Sequence, residues 1–246
     1  MKRPLEVVVF DLDDTLIDTS IVFVKAREEF VAMMCQAGYA RRAALRQLDD
    51  AEWHNLHHFG YVSERNLISM REAYEALVEK DGNLFSADVL RQISSIAGRC
   101  LYKLPRPLPY ARTLLSWCAR KYRLALLTRG SEALQYAKID KLGVRDLFHT
   151  IHVVKLKTPD SFRGVLRSMK CHPQNAVSVG DSPRFDILNA LRAGMSAVHV
   201  QYPFRKLQWN LDHETTPALH GKKFRTARNL RQVKTMLQRD DKVGNI

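Results

Sequence analysis

A chain of 246 residues with 46% hydrophobic and 26% charged side chains has the composition of a globular protein, able to build one large core or a core carrying an insert. The formal net charge of +13 is uneven: residues 18–105 are close to neutral, and the excess of Lys and Arg lies beyond them. Such a field favours anionic ligands, nucleic acid included, and serves solubility equally well. No run of about 18 apolar residues predicts a membrane span. The chain enters a strand too early to leave room for a signal peptide. Cys35, Cys100, Cys118 and Cys171 are too scattered for a zinc site or a disulfide framework, so a cytoplasmic protein with reduced thiols is expected.

Val7-Val8-Val9-Phe10 reads as a short strand buried on both faces. Asp11, Asp13 and Asp14 follow within four positions, with Asp14 or Thr15 placed to cap a helix beyond them. Residues 17–20 read as a linker. Helical spacing then predicts helices over 21–37, 40–56, 64–79 and 87–102, with Gly38 as a C-cap and a turn at Asp81-Gly82-Asn83. The proline-rich stretch Leu104-Pro105-Arg106-Pro107-Leu108-Pro109 is stiff and extended. It pairs with the linker at 17–20 to set off an all-helical insert, 18–104, within a core formed by 1–17 and 105–246.

Past that boundary the pattern alternates. A helix over 111–120 precedes a buried strand, 123–127, which runs into Thr128-Arg129-Gly130. Ser131 caps a helix to Leu142, closed by Gly143. A strand at 151–154 leads to Lys155-Leu156-Lys157-Thr158-Pro159, and Asp160 or Ser161 starts a helix reaching Met169. A fourth strand, 176–179, enters Gly180-Asp181-Ser182-Pro183-Arg184-Phe185-Asp186. Pro183 suits a first helical turn and Gly194 a helix end. A fifth strand spans 197–200. Regular alternation of this kind predicts an α/β fold, a Rossmann-like, doubly wound parallel sheet. In the tail, Leu230, Val233 and Leu237 fit a last helix packed on the sheet. Residues 205–222 read as surface loop, and Trp209 and His213 have no assigned role.

The carboxyl ends of parallel strands lie on one edge. Asp11 and Asp13, Thr128, a lysine, and Asp181 with Asp186 are therefore expected to converge. Asp11 and Asp13 share a face in extended geometry, and carboxylates this close call for a hard cation such as Mg2+. Carboxylates, a cation and a hydroxyl around a metal describe phosphoryl transfer rather than hydride or acyl transfer. No GxGxxG, GxxxxGK[ST] or GxSxG motif is present. Lys155 and Lys157 share a face if extended, so the residues alone leave the lysine open between them.

Asp11-Leu12-Asp13-Asp14-Thr15, Thr128-Arg129-Gly130, Lys157-Thr158-Pro159 and Gly180-Asp181-Ser182 with Asp186, in this order and each after a buried strand, resemble the haloacid dehalogenase superfamily of Asp-nucleophile phosphatases. The resemblance covers residues 7 to about 200. It implies a Mg2+-dependent phosphomonoester hydrolase acting on a small phosphorylated metabolite through an aspartyl-phosphate. Asp11 would be the nucleophile and Asp13 the proton donor and later the base. Thr128 and the lysine would hold phosphate oxygens, with Lys157 favoured because it stands just before Thr-Pro. Asp11, the backbone carbonyl of Asp13, Asp181 and Asp186 would hold Mg2+. The helical insert would be the family's cap, which selects the leaving group.

The acid at Asp13 argues for an oxygen leaving group and against a halide. Asp14-Thr15-Leu16, in place of the DGV-type continuation of the family's mutases, favours hydrolysis over the alternative, a phosphomutase. A phosphatase or binder acting on nucleic-acid ends is the other alternative; the sequence does not decide the oligomeric state. Arg129 stands where the family often has a small polar residue. It is read as contacting a second anionic group of the substrate or, equally, as pairing with Asp146 or solvent. His54, His57 and His58, near Trp53, Phe59 and Tyr61, are read as aromatic packing at a helix end rather than a metal site.

Overall fold

The computed structural model describes residues 4–59, 64–102, 104–201, 219 and 224–244. They fall into two compact units, one comprising residues 20–59 and 64–102, the other the remaining described residues.

The larger unit is built on six strands. They are β1 (Val7–Phe10), β2 (Arg123–Arg129), β3 (Thr150–Val154), β4 (Ala176–Gly180), β5 (Ser196–Val200) and β6 (Arg225–Ala227). Their order across the sheet is β3-β2-β1-β4-β5-β6, and every neighbouring pair is parallel. All four side chains of β1 are fully buried, which the central position of the strand explains. Alternation then splits them between two cores. Val8 and Phe10 face Leu124, Leu126, Val177 and Val179, together with Leu114, Leu115, Ile139, Val233 and Leu237. Val7 and Val9 face Ala125, Leu127 and Ala176, together with Phe162, Val165, Leu166 and Ala190.

The helices supplying these residues are α5 (Ala111–Ala119), α6 (Glu132–Leu142), α7 (Pro159–Ser168), α8 (Asn189–Arg192) and α9 (Leu230–Gly244); α1 to α4 belong to the other unit. Both faces of the sheet are thus covered, as an all-parallel sheet requires. The chain passes from β1 outward through β2 and β3, then returns beside β1 with β4. The topological switch point therefore lies between β1 and β4, where ligands of open α/β sheets bind.

The smaller unit contains α1 (Ser20–Gln36), α2 (Arg41–Phe59), α3 (Arg65–Asp81) and α4 (Ala87–Tyr102). Phe30, Val31, Met34, Leu48, Met70, Tyr74, Leu77 and Ile93 form its core. Gly82, in the left-handed conformation, ends α3. A polar cluster is buried beside that core. Arg27 pairs with Asp49 and Glu52, while the Asn55 amide donates to Ser69 Oγ and Glu72 Oε2. Burial drives the Glu52 pKa up to about 7, against the opposing charges of Arg27 and Arg65. No helix among the described residues is long and apolar enough to cross a membrane.

Several local expectations are revised. Neither Asp14 nor Thr15 caps a helix, because α1 starts only at Ser20. Asp14 instead takes a positive φ of 58° in a turn where its N–H donates to Ile17 O at 2.8 Å. The cap of α7 is Thr158, not Asp160 or Ser161. Thr158 Oγ1 accepts from the Ser161 N–H, Ser161 Oγ accepts from the Thr158 N–H, and Pro159 opens the helix, a reciprocal capping box. Ser131 holds the N-cap position of α6 without a side-chain bond. Strand β6 was not anticipated, since Arg-Thr-Ala carries no apolar run. Within the expected loop at 205–222 only Leu219 is described. It is buried near Ile187, Leu188 and Ala197, as its apolar side chain demands. Trp209, His213 and Tyr61 lie outside the described residues. The imidazole of His57 bonds to the Trp53 carbonyl, and His58 meets Phe59 edge-on.

Candidate active site

At the carboxyl edge of the sheet, β1 delivers Asp11, whose N–H donates to Val179 O of β4 at 2.9 Å. That bond continues the ladder one residue past the strand and fixes the start of the Asp11 side chain. Lys157 arrives from the turn between β3 and α7. Its ammonium, 4% exposed, donates to Asp11 Oδ1 and, at 2.6 Å, to Asp186 Oδ1. The Lys157 carbonyl accepts from Asn189 Nδ2 at 2.7 Å, so its backbone is held as firmly as its charge. Burial alone would lower the Lys157 pKa, but its two carboxylates outweigh that and raise it. Lys155 is exposed.

Asp186 is buried because the chain turns back after β4. Ser182 caps a π-type helical segment, Pro183–Leu188, of a kind often found at functional sites. The Ser182 N–H donates to Asp186 Oδ2 at 3.0 Å. Gly180 makes room for this carboxylate: a Cβ there would stand 2.5 Å from Asp186 Oδ2. One ligand atom from each of Asp11, Asp181 and Asp186 lies within 4.8 Å of the others. Thr15 Oγ1 approaches Asp181 Oδ1 at 3.5 Å, and the Asp181 carbonyl meets His199 Nε2 at 2.9 Å.

Asp13, two residues past Asp11, has its own partners. Lys138 Nζ stands 2.7 Å from Oδ1, Gln135 Nε2 donates to Oδ2 at 2.7 Å, and the Thr19 hydroxyl donates to Oδ1. Burial pushes the Asp13 pKa up, but the Lys138 charge and the three donated bonds prevail and hold it below the usual carboxylate range. Asp11 goes the other way. Burial, reinforced by the charges of Asp186 and Asp13, lifts it to about 7 despite Lys157. Thr128, at the end of β2 and fully buried, lies 2.5 Å from the Gln135 amide through its Oγ1. Gly130, with φ of 146°, leaves space for the Gln135 side chain, which a Cβ would crowd at 3.2 Å. Arg129 stacks on the Phe185 ring, its guanidinium carbon 4.3 Å from the ring centre.

Asp11, Lys157, Asp181 and Asp186 are thus one group; beside it Gln135 joins Asp13 to Thr128, and the Asp13 charge acts on Asp11. Sequence reasoning missed Gln135, Lys138 and Thr19. The inward stripe of α6 is Gln135, Lys138, Ile139 and Leu142, so two polar residues occupy positions where an apolar one is the norm. Chemically the group combines a buried carboxylate pinned by an ammonium, a neighbouring acid with its own cation, and a hydroxyl. Four carboxylates face two ammoniums, and the excess negative charge in a buried place fits a hard divalent cation held by oxygen.

The molecule is thus of the Rossmann-like α/β class with a carboxylate cluster at its switch point, and sequence comparison assigns the family. The model of the haloacid dehalogenase-like hydrolases matches residues 5–194. The chain belongs to that family, and it is a hydrolase. It is similar to a glyceraldehyde 3-phosphate phosphatase of Methanothermobacter thermautotrophicus, 31% identical over 80% of this chain and 85% of the relative. A protein of the same name from Pyrococcus furiosus is 27% identical over 81% and 82%. Among solved structures, a haloacid dehalogenase-like family hydrolase from Xanthomonas campestris superposes with a TM-score of 0.77 at 23% identity, covering 99% of both chains.

Proposed function

We propose that this chain is a Mg2+-dependent phosphomonoester hydrolase that acts on a small phosphorylated metabolite through an aspartyl-phosphate on Asp11. The observation that carries the reading is the buried Lys157 ammonium shared by Asp11 and Asp186, with Asp181 beside them. A carboxylate attacks a phosphate dianion only where nearby positive charge offsets the repulsion. The phosphatase names of the relatives support the same class of substrate.

In this reading an Asp11 oxygen attacks phosphorus in line with the ester oxygen, which departs with a proton from Asp13. Water then attacks the aspartyl-phosphate, giving its proton back to Asp13, and phosphate leaves. Thr128 and Lys157 hold the transferred group. Asp13 rests ionised, the state of a base. The incoming dianion favours the protonated state that the first step needs, since a like charge raises a carboxylate pKa. Asp11, Asp181, Asp186 and the Asp13 carbonyl would hold Mg2+, which when bound neutralises charge on the phosphoryl oxygens. The position of the helical insert, 18–104, between the first two motifs supports a role for it in substrate choice.

The test is phosphate release from a panel of phosphorylated metabolites, glyceraldehyde 3-phosphate among them, with Mg2+ and with a chelator. The expected result is Mg2+-dependent release that Asp11→Asn abolishes. Release by Asp11→Asn at the parental rate would overturn the assignment.

A further inference from the structure

The contact between Arg129 and Phe185 crosses a strand. Arg129 ends β2, and Phe185 lies in the turn after β4. These strands are not neighbours, because β1 runs between them. Adjacent strands are about 4.8 Å apart. A side chain at the end of β2 that meets one from the segment after β4 at 4.3 Å therefore reaches across the end of β1, where Asp11 sits. The register gives the height of the bridge. Phe10 is level with Leu126, so Arg129 stands two residues beyond Asp11, about 6–7 Å further along the strand direction at 3.3 Å per residue. That is the region reached by substituents a few bonds from a phosphoryl group carried on Asp11. A second guanidinium, that of Arg184, lies 5.5 Å from the same ring.

We propose that Arg129, held by Phe185, is a second anion-binding subsite, so that the preferred substrates are small phosphate monoesters bearing another anionic group such as a carboxylate. Stacking engages the flat face of a guanidinium and keeps its fork of N–H donors in the plane, the geometry that matches a carboxylate. Holding the long side chain against the ring also reduces the entropy lost when it grips a ligand.

This inference rests on the phosphatase reading, and two small competitors separate the two. Methylphosphonate carries the phosphoryl mimic alone; phosphonoacetate adds a carboxylate. Against turnover by the unmodified protein, phosphonoacetate is expected to inhibit at least tenfold more tightly than methylphosphonate. In Arg129→Met the advantage should fall below twofold, and Phe185→Leu reads the same ratio if the first variant does not fold. Arg129→Lys, which keeps the charge without the planar fork, should recover part of it. Equal inhibition of the parent by both compounds, or an advantage that survives in Arg129→Met, overturns the subsite while the phosphatase assignment stands. A parent that hydrolyses no phosphate ester takes both down.

Discussion

Replacing Gly180 by alanine would put a methyl group where the Asp186 carboxylate already stands. The new carbon would lie 2.5 Å from Asp186 Oδ2 and nearer still to its Cγ and Cβ, whereas non-bonded heavy atoms settle at about 3.5–4.0 Å. The carboxylate must retreat by about 1 Å or the strand must move. Such a retreat stretches the 2.6 Å bond from Lys157 and the 3.0 Å bond from the Ser182 N–H beyond useful hydrogen-bond range. Forcing a methyl into a packed site costs about 1–3 kcal/mol. Removing one partner of a buried ion pair costs about 3–5 kcal/mol, of which only part applies here, because Lys157 retains Asp11.

About 3 kcal/mol of lost stability is therefore expected for Gly180→Ala. At about 2–4 °C per kcal/mol for a chain of this size, that lowers Tm by about 6–12 °C. Mg2+ affinity should drop about tenfold or more, since one of the residues proposed to hold the ion is displaced. Circular dichroism melts and calorimetric Mg2+ titration read the two effects. A Gly180→Ala protein that melts within 1 °C of the parent and binds Mg2+ equally well would show that the strand absorbs the methyl, and the steric reasoning would fail.

Two further outcomes follow from other parts of the structure. Lys157→Ala should abolish phosphate release, because it strips Asp11 and Asp186 of their shared cation, while Lys155→Ala should stay within about threefold of the parent; the reverse ranking would reassign the lysine. In the helical unit, Glu52 has a folded-state pKa of about 7 against an ordinary 4.5. The folded protein therefore holds a proton that the unfolded chain releases. The stability this supplies is complete below about pH 4.5 and is lost as pH rises through about 7, on the order of 2–3 kcal/mol between pH 5 and 7.5. Denaturant titrations followed by tryptophan fluorescence should show that loss in the parent and not in Glu52→Gln, and equal pH slopes for the two would refute it.

What could be read in the sequence was whatever a buried strand announces. Val7–Phe10 and the apolar runs ending in Thr128 and Gly180 each mark a central strand, and a polar residue just past such a run lands on the sheet's carboxyl edge. Asp11, Thr128, Asp181 and Asp186 were visible for that reason, whereas the residues alone left the lysine open between Lys155 and Lys157 and only the family resemblance favoured Lys157. Lys138 and Gln135 were not, because they lie in the middle of a helix whose composition is otherwise unremarked. Only their place on the inward stripe with Ile139 and Leu142 sets them apart. Strand β6 was hidden for the opposite reason: three residues at the edge of a sheet need little apolar character, and pairing with β5 alone defines them. The path of Arg129 toward Phe185 depends on strand order, which no local pattern encodes.

The parallel pairing of β1 has a consequence for how the protein is made. Val7 is matched to Arg123 on one side and to Ala176 on the other, so the most apolar strand leaves the ribosome long before either companion exists. At about 5–20 residues per second, the wait until β4 has been synthesised is on the order of ten to thirty seconds. The helices from Ser20 to Tyr102, whose contacts are local, can assemble within that interval. During it, a segment of three valines and a phenylalanine remains without its sheet, which makes the nascent chain, more than the finished enzyme, the form most in need of a chaperone.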